Sequence, residues 1–189
     1  MTREPGAFVT CEKGLQLGIR RATTDDIDAI AATYDELLDF EVEHGSVTNW
    51  KAGLYPTRKV PELGVSKDQM WVLEEDGHVV ASMMLNGQQG PGYDEVPWKY
   101  EAADDQVLVI HTLVVPPSAS RHGYGLQMLD FALQQGREHG KTVCRIDTWV
   151  NNEPAKALYL HHGFRISGTV HVMHWGVIDE NQVLLECRL

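Results

Sequence analysis

Three groups of residues in this sequence have the type and spacing to do chemistry. The first lies in "VVPPSASRHGYGLQML", residues 114 to 129. An apolar run ends at two prolines, a small-residue loop follows, and Gly123-Tyr124-Gly125 opens what reads as a helix. The N–H groups and positive dipole end at a helix start suit an anion. The dipole alone contributes about 0.3–2 kcal/mol, so several charge-assisted N–H bonds have to act together. Glycine lets the backbone approach with no Cβ in the way. The loop lacks the Lys-Ser/Thr of a P-loop and the third glycine of a dinucleotide fingerprint. On these residues alone, a tight turn with no ligand is as good a reading as an anion site.

The second is His111, set among apolar neighbours in "QVLVIHTLVVPP". An imidazole titrating near 6.5 can take up a proton at neutral pH; a buried histidine bonded for structure is the alternative. The third is Asp147 in "RIDTW" with Trp50, Tyr55 and Trp98 in irregular segments. The carboxylate could orient His111 or a substrate amine, pair with Arg145 or cap a turn. The rings could hold a cation by face contact or pack ordinarily. His161 and His162 adjoin and point apart, while His171 and His174 face opposite sides of a strand, so no metal site is expected. Cys11, Cys144 and Cys187 have no metal-type spacing and read as reduced thiols of a cytoplasmic protein.

The elements that must position these residues follow from periodicity. Leu17–Arg21 reads as a first strand, and Thr23 and Thr24 are N-cap candidates for a helix with Ile27, Ile30, Ala31, Tyr34, Leu37 and Leu38 on one face. That stretch, 22–50, carries eight acids and no Lys or Arg, a solvated face or an acidic rim. "NWKAGLYPTRKVPEL" is a loop or short helix. "QMWVLEEDGHVVASMMLN" is a hairpin turning at Asp76-Gly77. Residues 87–105 form a long polar excursion of the kind that is often functional. Val107, Val109, His111, Leu113 and Val115 share one strand face, with Leu108, Ile110, Thr112 and Val114 on the other. Both faces are mostly apolar, so this is a central strand. A helix, the strand "TVCRIDTWV", the short helix "NEPAKALYLHHGF" and two strands complete the chain. Hairpins flanking one strand-helix-strand crossover imply a mixed α/β sheet.

Length and composition set the outer bounds. The 189 residues suit a single domain, 1–189, with loose order expected over 1–15. There is no leader and no apolar run long enough to span a bilayer. The net charge of −11 argues against nucleic acid or an anionic membrane as partner and favours a cationic substrate. A monomer or homodimer is expected.

Two motifs in order sharpen the reading. Asn152, Ala155, Leu158, Tyr159, Gly163 and Phe164 fit N-x-x-A-x-x-L-Y-x-x-x-G-F, and Val115 to Gly125 fit V-x-P-x-x-x-x-x-G-x-G. Together they resemble the GNAT superfamily of N-acetyltransferases. The resemblance implies a mostly antiparallel mixed sheet flanked by helices, with a β-α-β-α core for acetyl-CoA. It implies that N–H groups of Arg121, His122, Gly123, Tyr124, Gly125 and Leu126 hold the pyrophosphate. Leu113, Val114 and Val115 would pair with the pantetheine arm and offer N–H to the thioester carbonyl, with Asn152 and Ala155 beside the arm. Ser120 stands where the family commonly has Arg or Gln. Tyr159 fits the position of the acid that protonates the departing thiolate, or packs the short helix. His111 stands where related enzymes often carry a glutamate base. The implied activity is direct transfer of an acetyl group from acetyl-CoA to an amine, with Trp50, Tyr55, Trp98 and Asp147 framing the acceptor. A non-catalytic acetyl-CoA sensor or partner module on the same fold is the alternative.

Overall fold

The computed structural model describes residues 8–10, 16–174 and 176–189. The expected elements appear in the expected order: β2 (Gln16–Arg21), α1 (Ile27–His44), α2 (Lys59–Ser66), β3 (Met70–Glu75), β4 (His78–Asn86), β5 (Val107–Val114), α3 (Tyr124–Glu138), β6 (Val143–Trp149), α4 (Glu153–His161), β7 (Arg165–His174) and β8 (Ile178–Arg188). A further strand, β1 (Phe8–Thr10), pairs with β2. Three of the first fifteen residues therefore form an edge strand where loose order is expected, and the others lie outside the described residues. Cys11 is among the latter, while Cys144 and Cys187 are free thiols buried opposite each other on β6 and β8.

The strands form one sheet in the order β1-β2-β3-β4-β5-β6-β8-β7. Only β5 and β6 run parallel, because the α3 crossover joins them. One face packs under α3, with Leu73, Met83, Leu85, Leu108 and Ile110 against Met128 and Leu129. The other packs under α1, with Val72, Met84 and Val114 against Ile30 and Tyr34.

Two irregularities of β5 shape everything at its C-terminal end. It pairs with β6 only from Val107 to Val109, opposite Val143 to Arg145. Beyond that point β6 stays with β8 as far as Trp149, so β5 and β6 part. The second is a bulge. Met84 lies opposite His111, but Ser82 lies opposite Val114, so β5 carries one extra residue. Thr112 absorbs it at φ 50°, a left-handed conformation that β-branched residues rarely adopt. The bulge corrects the face pattern expected for this strand. Strict alternation holds through His111, but Val114 then joins the α1 face, where alternation would have turned it away.

Buried charges fold the two long connections. Glu41, on the inner face of α1, accepts N–H from Val47 and Thr48 at 3.1 and 2.9 Å and hydroxyls from Ser46 and Thr48 at 2.7 and 2.8 Å. Glu36 accepts the N–H of Ser118, and Asp26 takes Arg20. Two of the eight acids in 22–50, Asp26 and Glu41, are thus buried ties rather than a solvated face, and Glu36 makes its tie at the surface. The 87–105 excursion is held by Glu186, which accepts N–H from Lys99 and Tyr100, and by Arg145, which donates to Gln89 and to the Tyr100 carbonyl.

Glu41→Ala leaves those loop donors without their carboxylate. Hydrogen bonds to a charged group are each worth about 1.5–3 kcal/mol, and solvent can replace part of them in a half-open loop. The expected outcome is a loss of about 1–3 kcal/mol in urea unfolding. Hydrogen-exchange protection should fall over residues 46–50 while the sheet amides keep theirs.

Candidate active site

Where β5 and β6 part, a cleft of about 290 Å³ passes through the sheet. Its walls are residues 110–115 of β5 and 146–149 of β6. Gly125, Asn152, Ala155, Leu158 and Tyr159 close one end, and Trp50, Tyr55, His174, Glu180 and Gln182 close the other.

The first end is built by two helix starts. Gly123 caps α3 at φ 78°, and Arg121 before it also sits at positive φ. A Cβ on Gly123 would meet nothing within 4 Å, so the glycine serves the backbone turn and keeps that surface open. The first N–H of this run to bond back is that of Gln127, to the Gly123 carbonyl at 3.1 Å. Among the described residues, the N–H groups from Arg121 to Leu126 have no protein acceptor. Arg121, His122, Gly123 and Leu126 are exposed there, as is Ser120. Tyr124 instead turns inward and donates its hydroxyl to Glu75 at 2.7 Å. Asn152 caps α4: its Oδ1 accepts the Ala155 N–H at 3.2 Å and its Nδ2 donates to Thr148 at 3.0 Å. Its side chain therefore fixes α4 against the end of β6.

Tyr159 is buried on α4 beside Phe164. Burial first, then the nearby Asp147 charge, pushes its phenol far above the ordinary value of 10, so it keeps its proton. Asp147 projects from β6 into the same cleft and accepts the Tyr93 hydroxyl at 3.0 Å. Burial outweighs that bond, and with the charge of Glu180 it raises Asp147 from 3.8 to about 6.

His111 lines the cleft, but it does not titrate near 6.5 as expected. Burial pushes it down to about 4, against a weaker favourable contact with the Gln88 main chain. Asn86 spends its Nδ2 on Gln69, so its Oδ1 accepts His111 Nε2–H at 3.0 Å. Leu113, Val114 and Val115 line the cleft just past the bulge, and Trp50 and Tyr55 form its far wall. Tyr55 bonds the Thr112 hydroxyl and meets both Trp50 and His174 edge-on. Trp98 is the exception among the residues expected to frame the acceptor. It covers the Arg145 guanidinium at 4.1 Å, donates Nε1–H to the Tyr93 carbonyl, and does not line the cleft. Arg145 needs a cover for its buried charge, and the ring supplies one.

Glu180, His174 and Gln182 are cleft residues that sequence reading missed. In the sequence His174 stands out only as half of a pair with His171. The usable signal is the acid in "GVIDENQVLL" at the inward-facing position two residues after Ile178, yet only the β7–β8 register shows where it lands.

Residues 30–164 match the family model described as acetyltransferase (GNAT) family. A protein of Lactobacillus delbrueckii subsp. lactis, described as an uncharacterized N-acetyltransferase in the pepI 3' region, is 28% identical over 113 residues, covering 59% of this chain and 61% of that protein's length. Among solved structures, a GNAT-family acetyltransferase of Listeria monocytogenes superposes with a TM-score of 0.73 at 22% identity, over 97% of this chain and all of its own. The yncA protein of Salmonella typhimurium, solved with its cofactor acetyl-CoA, gives 0.64 at 18% identity over 92% and 94%. The ribosomal-protein-S18-alanine N-acetyltransferase of Escherichia coli gives 0.64 at 14% over 91% and 93%.

Asp147 makes a stability prediction independent of any activity. Between about pH 4 and 6 the unfolded chain has released a proton that folded Asp147 keeps. Its charge thus opposes folding fully above about pH 6 and not at all below about 4. Asp147→Asn, which can still accept the Tyr93 hydroxyl, should gain about 2–3 kcal/mol in urea unfolding at pH 7 and little at pH 4. An equal change at both pH values would remove the burial argument.

Proposed function

The chain belongs to the GNAT acetyltransferase family, and from that membership we propose that it moves an acetyl group from acetyl-CoA directly to the amine of a small cationic acceptor. The observation that carries this reading is the through-sheet cleft, with unsatisfied N–H groups at one end and buried carboxylates at the other. The residues fit the donor. Six main-chain N–H groups without an acceptor among the described residues suit a pyrophosphate. The edge of β5 beyond Val109 has no neighbouring strand on the β6 side and can pair with an amide-bearing arm. When bound, the donor supplies an acetyl thioester.

The chain's own groups do the rest. N–H groups of Arg121–Leu126 hold the anionic end, and Leu113–Val115 orient the arm. Past the bulge, their main-chain N–H groups stabilise the carbonyl oxygen as charge develops. Ala155 and the Asn152-capped start of α4 flank the arm. Tyr159 holds the proton that the departing thiolate takes. Because a thiol has a pKa near 8.5, that help is useful rather than essential. Ser120, in place of the usual Arg or Gln, makes the phosphate end depend on main chain.

The proton of the attacking amine goes to Asp147 in this reading. An amine near pKa 10.4 is neutral about once in 10³ at pH 7, a cost of about 4–5 kcal/mol, against about 1 kcal/mol for an α-amine near 8. A carboxylate near 6 is far better matched to that task than an imidazole near 4. His111 then acts as a neutral wall.

Thiol release from acetyl-CoA across an amine panel tests the reaction. We expect an acidic limb near pH 6 in kcat/KM for the best amine. Asp147→Asn should remove the limb and lower kcat/KM about 10²–10⁴-fold. Tyr93→Phe, which deletes a bond that lowers the Asp147 pKa, should move the limb to higher pH. A limb that survives Asp147→Asn with His111→Ala removing it would return the base role to His111. Tyr159→Phe should slow turnover without abolishing it, and wild-type turnover would end its role as acid.

A further inference from the structure

Glu180 is a carboxylate that the proposed transfer does not use. It sits on β8 in the cleft wall with its side chain 1% exposed. Its Oε2 accepts Asn49 Nδ2 at 3.0 Å and its Oε1 accepts Gln182 Nε2 at 2.8 Å. Both partners are neutral amides. Gln182 Nε2 also lies 2.8 Å from His174 Nδ1, and that nitrogen is 3.8 Å from Glu180. Burial and the proximity of His111 hold His174 down at about 4, so it brings no charge at neutral pH. Among the described residues, no lysine or arginine lies within salt-bridge distance of Glu180. Lys51 is exposed, bonds Asn49 Oδ1 and reaches Glu180 only as a longer-range charge.

The other buried carboxylates are compensated more fully: Glu41 accepts four hydrogen bonds from one turn, and two others have a cation. Asp26 is paired with Arg20 at 2.7 Å and Glu186 with Arg165 at 2.8 Å. A buried charge is costly unless a counter-charge offsets it. At Glu180 no described cation is in contact and the favourable charge of exposed Lys51 is outweighed by burial, and the carboxylate borders a cavity whose walls include Trp50 and Tyr55. Aromatic walls beside a carboxylate are a good setting for an ammonium group.

Resting on acetyl transfer to an amine, we propose that Glu180 is a specificity residue that binds a second cationic group of the acceptor. The substrate class is then a small diamine or polyamine-like molecule: one amine loses its proton toward Asp147 and attacks, while the other stays charged against Glu180. Asn49 and Gln182 position the carboxylate, and Tyr55 and Trp50 enclose the cation.

The experiment compares a linear monoamine with the diamine of the same carbon number, by kcat/KM with saturating acetyl-CoA. In the wild-type protein the diamine should be preferred by about tenfold or more, the scale of one charge-assisted hydrogen bond, chiefly through a lower KM. Glu180→Gln should bring that ratio close to one, and Glu180→Asp should restore part of it. A second readout needs no variant. A fully methylated dication, which cannot be acetylated, should compete with the diamine at about tenfold lower concentration than its methylated monocation. Equal use of both amines, or a preference that survives Glu180→Gln, would overturn the role of Glu180 while leaving transfer intact. Failure to acetylate either amine while other amines are acetylated would also overturn it. Failure of the whole amine panel would instead bring down the transfer reading itself, and this proposal with it.

Discussion

The structure depends on β5 losing a neighbour halfway along its length. A central strand normally satisfies its N–H and C=O groups on both sides, because an unpaired buried backbone group is expensive. β5 does so only as far as Val109; after that β6 leaves with β8. The exposed edge runs straight toward the N–H groups that open α3. A single extended ligand can therefore complete the edge with amides and the helix start with negative charge. Neither feature needs the other for folding, yet the α3 crossover places them in line. Asn152 keeps the gap from closing: by capping α4 and bonding Thr148, it fixes the helix that carries Tyr159 against the far strand.

The bulge at Thr112 is the second half of that constraint. It turns β5 just before residues 113–115 and brings the Thr112 hydroxyl to Tyr55. A threonine at positive φ is strained, and such strain persists only where the surroundings hold it. Tyr55 belongs to the loop that also carries Trp50, and Glu41 anchors the preceding turn. The Tyr55 wall of the cleft and the bulged backbone of β5 thus share one hydrogen bond. A shift in the 45–58 loop would be felt at the backbone of β5 past the bulge.

Much of this was legible in the sequence, for local reasons. The two motifs named the glycine turn, the capped short helix and Tyr159, because each rests on backbone requirements within a dozen residues. The alternation of "QVLVIHTLVVPP" identified the central strand. It could not show the bulge, which inserts a residue without leaving any glycine or proline as a mark. Trp98 was assigned to the cleft because aromatic residues in a loop suggest a binding wall. The reason it lies elsewhere is Arg145, seen only once β6 and the loop are folded together. His111 and Asp147 were both singled out, but their titration depends on burial. That is a tertiary quantity, and it moves the two in opposite directions, Asp147 up and His111 down. Glu180 and His174 were invisible because their importance comes from the register of β7 and β8 across from a loop more than 100 residues earlier in the chain.

The treatment of buried acids separates structural work from chemical work. Glu186 is completely buried and takes two main-chain N–H groups, Arg165 and Ser167. Glu41 takes four donors from one turn. Each of these carboxylates is saturated by partners that folding itself delivers, so its charge helps hold two segments together. Asp147, by contrast, accepts one hydroxyl, from Tyr93, and shares its cleft with the charge of Glu180. Two like charges brought together in a low-dielectric cleft raise each other's proton affinity. They also cost folding free energy that a repacked cleft would recover. Such under-compensated groups gather at functional sites because a substrate supplies what the fold withholds. In the proposed transfer the missing partner is positive, and its place is at the end of the cleft opposite the N–H groups of residues 121–126. The molecule is therefore electrically divided along one channel, with donors for an anion at the α3 end and acceptors for a cation at the β8 end. The two meet between Tyr159, which keeps its proton, and Asp147, which is ready to take one.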